Sequence, residues 1–229
     1  VLFRSGLNIN SHGPNNDGCD PDSCRDVLIE DCVFDTGDDC IAIKSGKNAD
    51  GRRVNVPSEN IVIRNCVMKD GHGGVVMGSE NAGGVRNVFA ENCRMDSANL
   101  QRALRLKTNS LRGGFHENVF FRNITIGRVS DSILTIDLVY ENNTDGPYPP
   151  RVRNVLMENI TATSAPRVLS VVGTAKSTIE NVRIRNSQFS GVEGADRLAN
   201  SGSVTYENVT IQAAPRPRAT AAPATAPKE

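Results

Sequence analysis

One pattern recurs along this chain: Arg or Glu, then Asn or Asp, then an aliphatic residue, with another Asn or Asp four positions later. RDVLIEDC (25–32), ENIVIRNC (59–66), RNVFAENC (86–93), ENVFFRNI (117–124), RNVLMENI (153–160) and ENVRIRNS (180–187) carry it, and ENVTIQ (207–212) begins the same way. Anchored on the aliphatic residue, the copies fall at 27, 61, 88, 119, 155, 182 and 209, in steps of 34, 27, 31, 36, 27 and 27. A repeat of this length, built of β-branched strand sequence without helical periodicity, requires coils stacked as a solenoid; propeller blades need longer repeats. Asn at fixed positions suits a parallel β-helix, an all-β fold in which amides stack coil upon coil. Asn65, Asn92, Asn123, Asn159 and Asn186 are the expected rungs, so the glycosylation sequons at Asn123, Asn159 and Asn208 read as ladder positions instead. Cys32, Cys66 and Cys93 share one repeat position and are expected to be a buried thiol stack.

Composition narrows the class. The 229 residues suit one elongated domain, and 26 basic residues balance 26 acidic ones, so no global field favours nucleic acid or membrane. Aromatics make up 4% with no Trp, which leaves few stacking platforms for single strands. No run of 18 apolar residues is long enough to span a bilayer as a helix. The start, VLFRSGLNINS, has no signal-peptide regions, so the chain is expected to begin inside a longer protein, with a β-helix over residues 1–212. Residues 213–229, rich in Pro, Ala and Thr, are expected to be a disordered tail.

Each coil carries a second strand after its anchor: DDCIAIKSG (38–46), HGGVVMGS (72–79), RALRLKTN (102–109) and SILTIDLVY (132–140). Period-2 alternation turns Ile41, Ile43, Leu104 and Leu106 inward and Lys44, Arg105 and Lys107 outward to solvent. It also turns Asp39 inward, which is costly unless the chain bends before the strand. Asp38 and His72 each lie 11 residues after their anchors, and Asp17 lies 10 before the first. With coils stacked at about 4.8 Å, Asp17, Asp38 and His72 are expected side by side, bordered by Arg105 and Lys107. Singly, Asn-Asp-Gly and Gly-Asp-Asp read as turns and the cations as solvated strand ends. Five such groups at compatible offsets on one face point to a site.

The series Asn15-Asn16-Asp17, Gly37-Asp38-Asp39, Gly71-His72-Gly73 and Arg105-Leu106-Lys107, in this order on a β-helix repeat, resembles the polygalacturonase family of glycoside hydrolases over about residues 5–212. The resemblance implies a right-handed β-helix that hydrolyses α-1,4-galacturonan in pectin with inversion, needs no cofactor or metal, and is monomeric and secreted or periplasmic. It implies Asp38 as general acid, Asp17 and Asp39 as the pair that activates water, and His72 as the residue that tunes the acid. Arg105, Lys107 and Tyr140 are implied substrate contacts, with Lys44 and Asn15 beside them. This suits the chemistry, since glycoside hydrolysis needs one protonated and one ionised carboxyl and clustered acids cannot all ionise. Lys44, Lys47, Arg52, Arg53, Arg102 and Arg112 are expected to form a basic rim for a polyanionic substrate.

Some features depart from the family. Asn16 stands where Thr is frequent, Leu106 where Ile is, and the family's N-terminal coils are not in this sequence. The stretch KNADGRRVNVPSE resembles insertions of exo-acting members that wall off the cleft. Competing readings are a β-helix pectate lyase, a rhamnogalacturonan hydrolase and a non-catalytic carbohydrate-binding β-helix. A lyase needs Ca²⁺, which prefers all-oxygen ligands to a site with His72; a binding module has no use for paired carboxylates.

Overall fold

The computed structural model describes residues 2–215, and the sequence reading's tail lies almost wholly outside them, since the last strand runs to Ala213. Every strand pairing is parallel and joins one coil to the next, so the chain is a parallel β-helix. A six-stranded sheet forms one face, from Ile41–Ile43 through Val75–Met77, Arg102–Lys107, Ser132–Asp137 and Arg167–Val172 to Arg197–Ala199. A twelve-stranded sheet wraps the rest; its longest members, Phe115–Arg128, Arg151–Ser164 and Thr178–Val192, each cover two faces by bending midway.

The repeat explains where they bend. Asp26, Asn60, Asn87, Asn118, Asn154 and Asn181, just before each anchor, and Asp31, Asn65, Asn92, Asn123, Asn159 and Asn186, four after it, all have φ between 50° and 58°. This left-handed region costs most L-residues about 1–2 kcal/mol, whereas Asn and Asp visit it readily. Asn is thus selected first for backbone geometry, and its amide then bonds the next coil. The continuous ladder lies on the side of the repeat opposite to that expected: Asp26, Asn60, Asn87, Asn118, Asn154 and Asn181 are linked in sequence by bonds of 2.8–3.1 Å. On the expected side, bonds of 3.1 Å link Asn92, Asn123 and Asn159, and Asn208 donates to Asn186 at 2.9 Å.

The anchors Val27, Ile61, Val88, Val119, Val155 and Val182 stack in register as expected. The last does not: Val182 pairs with Val204, and Val209 falls opposite Ser187. ENVTIQ therefore supplies the second bend of its coil, and Asn208, at φ 52°, takes the rung after Asn186. Inside, Ile29, Ile61, Ile63, Val88, Phe121, Met157 and Ile184 form one continuous apolar core. Cys32, Cys66 and Cys93 are buried thiols whose S–H groups donate to the carbonyls two residues before them at 3.1–3.4 Å.

The KNADGRRVNVPSE stretch folds as a short helix, α1 (Asn48–Val54), ended by Asn55 at φ 52°. Arg52 pins it down by donating to the Leu111 and Arg112 carbonyls at 2.7 and 3.2 Å and lying 3.7 Å over the Tyr148 ring.

Candidate active site

The acids and His72 sit in the turns that lead into the six-stranded face. Asp17 follows the strand Asn8–Ser11, Asp38 and Asp39 lie between Val33–Thr36 and Ile41–Ile43, and His72 lies between Val67–Met68 and Val75–Met77. These turns hold one another: the Asp38 N–H donates to the Asn16 carbonyl at 3.2 Å, the His72 N–H to the Asp38 carbonyl at 3.0 Å, and Thr36 Oγ1 to that same carbonyl at 2.9 Å. Glycine flanks His72 for steric reasons. A Cβ on Gly71, at φ 149°, would lie 2.6 Å from the Asp38 carbonyl oxygen, and one on Gly73 2.4 Å from Val76 Cγ2.

Asp17, Asp38 and Asp39 converge, with one carboxylate oxygen of each within 4.8 Å of the others. The expected register is off by one residue. The Cys19–Ile41 bridge carries Asp17 alongside Asp39, and the Ile41–Val75 pairing carries Asp38 alongside His72. Val27 belongs to the coil after that of Asp17, across a turn of different length, so the distance from that anchor does not set the register of Asp17. Asp17 Oδ1 accepts the Asp39 N–H at 3.0 Å, and Asp38 Oδ1 lies 2.8 Å from His72 Nδ1. Cys40 and Ile41 both enter the core, so alternation breaks there and releases Asp39 from the apolar interior.

Each carboxylate has a basic partner of its own. Lys44 Nζ donates to Asp17 Oδ2 at 3.0 Å and to Asp20 Oδ2 at 2.7 Å, and Lys107 Nζ donates to Asp39 Oδ2 at 2.7 Å. Asp38 has an imidazole instead of an ammonium. Burial raises the Asp39 carboxyl's pKa while Lys107 and Arg105 pull against it. Asp39 Oδ1 is buried and has no donor among the described residues. Burial pushes Asp20 up to about 6 against the Lys44 bond. Burial also disfavours the Lys44 ammonium, but the bonds to Asp20 and Asp17 outweigh it and raise its pKa.

The cations expected in solvent are largely covered. Arg105 and Lys107 point away from the core yet are buried, because Tyr140, at the turn after Ser132–Asp137, lies over them at 5.6 and 5.5 Å and over Arg112 at 5.4 Å. Alternation assigned their face correctly but gave no sign of the neighbouring turn that roofs it. The basic rim is also mostly paired: Lys47 with Glu80 at 3.5 Å, Arg53 with Asp50 at 2.7 Å, Arg102 with Asp131 at 2.6 Å and Arg112 with Glu141 at 3.1 Å. Asn15, Asp17, Asp38, Asp39, Lys44, Lys107 and Tyr140 line a polar cleft of about 380 Å³, while His72 and Arg105 support it from the side. The sequence reading did not single out Asp20, Glu80 or Glu141 as cleft residues; for Asp20 the signal was its place three residues after Asp17 in NDGCD.

Known proteins are similar to this chain. The family profile of glycosyl hydrolases family 28 matches residues 4–214. A probable polygalacturonase of Vitis vinifera is 33% identical over 144 residues, 62% of this chain and 29% of that protein. An exo-poly-alpha-D-galacturonosidase of Dickeya chrysanthemi is 26% identical over 222 residues, 92% of this chain and 36% of that protein. The crystal structure of a hyperthermoactive exopolygalacturonase from Thermotoga maritima superposes with a TM-score of 0.83 at 43% identity, over 92% of this chain and 47% of that one. The chain thus spans about a third of the length of these two curated relatives. Its solved neighbours are right-handed β-helices, and so is this chain. With a profile match over nearly the whole described fold and this site on its surface, the chain belongs to the glycosyl hydrolases family 28.

Proposed function

We propose that this protein hydrolyses α-1,4-galacturonosyl linkages of polygalacturonate with inversion, acting as an exo-enzyme from the non-reducing end. Residues 1–212 belong to the catalytic β-helix, truncated here at its N-terminus, and the full-length form works as a monomer without cofactor, nucleic acid or membrane. The observation that carries this reading is the convergence of three carboxylates, two held by lysines and one by an imidazole. Lysines stabilise ionised carboxylates, which marks Asp17 and Asp39 as the pair that receives a proton. Asp38, hydrogen-bonded to an imidazole instead of an ammonium, is the acid that protonates the leaving glycosidic oxygen as the C–O bond breaks. A water attacks the anomeric carbon from the opposite face and passes its proton to the Asp17–Asp39 pair.

Both Asp17 oxygens already accept bonds, from the Asp39 N–H and from Lys44, so Asp17 is poorly disposed to attack a sugar directly. Asp39 Oδ1 is the acceptor left over for water. Arg105, Lys107 and Tyr140 take the carboxylate and ring of the sugar beside the cleaved bond, with Lys44 and Asn15 across the cleft. The exo mode draws support from the named activities of the Thermotoga and Dickeya relatives and from α1, pinned as a wall over Leu111 and Arg112. A calcium-dependent elimination on the same carboxylates is disfavoured because two ammonium groups already occupy their oxygens. Asp38→Asn should lower kcat on polygalacturonate by about 10²–10⁴-fold with oligogalacturonide affinity retained. A variant that keeps more than about a tenth of kcat, far less than that contribution, removes Asp38 from the acid role.

A further inference from the structure

Arg112 is buried, and its guanidinium joins two segments far apart in sequence. Its Nη2 donates to both Glu141 carboxylate oxygens at 3.1 Å, and its Cζ lies 5.4 Å from the centre of the Tyr140 ring. The main chain beneath it is fixed as well. Asn109 Oδ1 accepts the Leu111 and Arg112 N–H groups at 3.0 Å, while Asn109 Nδ2 donates to the Tyr140 carbonyl at 3.1 Å. From the other side, Arg52 of α1 donates to the Leu111 and Arg112 carbonyls. A continuous set of contacts thus runs from α1 through Arg112 to the turn that carries Tyr140.

That turn is strained. Glu141 has φ 58°, in the left-handed region where every other described non-glycine residue is Asn, Asp or Ser23. Asn and Asp visit this region readily, whereas a residue such as Glu does not, so backbone geometry gives no reason for Glu here. Its carboxylate does, since the partner it meets is Arg112. Tyr140, beside it, covers Arg105 and Lys107, and Lys107 in turn holds Asp39.

We infer that Arg112 and Glu141 are positioning residues, a clamp that holds the Tyr140 ring over Arg105 and Lys107, with α1 as its brace. The inference rests on the proposed function for the sugar that Tyr140 meets. Both clamp residues act through Tyr140. The planar guanidinium suits the task because it can bond a carboxylate and lie against an aromatic ring at once.

The test uses protein labelled with 3-fluorotyrosine, whose three tyrosines give three fluorine resonances, that of Tyr140 assigned by Tyr140→Phe. Arg112→Lys keeps the charge but loses the planar fork, and Glu141→Gln, at an exposed position, guards against misfolding. Each should shift the Tyr140 resonance. Each should also raise KM for oligogalacturonides at least about fivefold while changing kcat less than about twofold, as expected when a displaced ring loses its contacts. The double variant should be no worse than Arg112→Lys, since both changes break one clamp. A purely structural role would instead reduce the folded enzyme, lowering apparent kcat with KM unchanged. That outcome, or an unmoved Tyr140 resonance in both single variants, overturns the inference. Should the unsubstituted protein cleave no oligomer while the resonance moves as expected, the clamp stands and the hydrolytic reading falls.

Discussion

Lys107 Nζ lies 2.7 Å from Asp39 Oδ2, and both side chains are more than nine-tenths buried. The pair joins a strand of the fourth coil to a turn two coils earlier, so it is both a structural tie and the means of keeping Asp39 ionised. Removing one member of such a pair typically costs about 3–5 kcal/mol because the other charge is left uncompensated. Lys107→Met should therefore lower unfolding free energy by an amount in that range, read by denaturant titration. In combination with Asp39→Asn the loss should be smaller than the sum of the two single losses. Additive losses would mean that the two charges do not depend on one another.

Lys44 offers a test of role. It touches Asp17 and Asp20 and lines the cleft, so it acts on the carboxylates, on the substrate, or on both. If its main work is to hold Asp17, Lys44→Gln lowers kcat on polygalacturonate more than it raises KM. A rise in KM with kcat unchanged would assign it to substrate binding alone.

The asparagine ladder separates strain from hydrogen bonding. Asn118, at φ 56°, donates to Asn87 at 3.1 Å and accepts from Asn154 at 2.9 Å. Asn118→Gly loses the bonds but keeps easy access to positive φ, whereas Asn118→Ala adds about 1–2 kcal/mol of backbone strain. Thermal unfolding should rank wild type above Gly and Gly above Ala. Equal losses in the two variants would show that the bonds alone select asparagine here.

His116 is fully buried between Val85 and Val152, with neither ring nitrogen bonded among the described residues, and burial lowers its pKa to about 3. The unfolded chain therefore binds this proton more readily than the folded one between about pH 6.5 and the folded value. Stability contributed by neutral His116 is present above that window and lost as pH falls through it, with a limiting slope of about 1.4 kcal/mol per pH unit. Replacement by Leu should flatten this part of the stability profile. An unchanged profile would place the acid sensitivity in other groups.

The sequence made the coils legible because strand register in a solenoid follows from one repeated constraint, the positive-φ residue at each bend. Val27 through Val182 stack as their spacing required, and the motif glycines are where backbones approach closely. The last coil was misread because ENVTIQ imitates the first half of the repeat while serving as the second. That Lys107 borders the carboxylates was legible, but not which lysine pairs with which carboxylate. Lys107 and Asp39 are 68 residues apart, and their meeting depends on turn lengths and on the roof supplied by Tyr140, neither of which leaves a local pattern. The same holds for Arg102 and Arg112, whose charge was visible but whose acidic partners were not.

The division of labour between an acid held by His72 and a water-activating pair held by Lys44 and Lys107 is tested most directly by the anomer released first. The oxygens of the three carboxylates approach within 4.8 Å, closer than the roughly 6.5–9.5 Å separation usual for inverting enzymes, so distance alone does not favour inversion; the lysine-bound state of Asp17 and Asp39 does. Proton NMR of the earliest product from an α-linked oligogalacturonide should show β-galacturonate, appearing before mutarotation. An initial α-anomer would mean a covalent glycosyl–enzyme intermediate and would contradict the assignment of Asp17 and Asp39 to water.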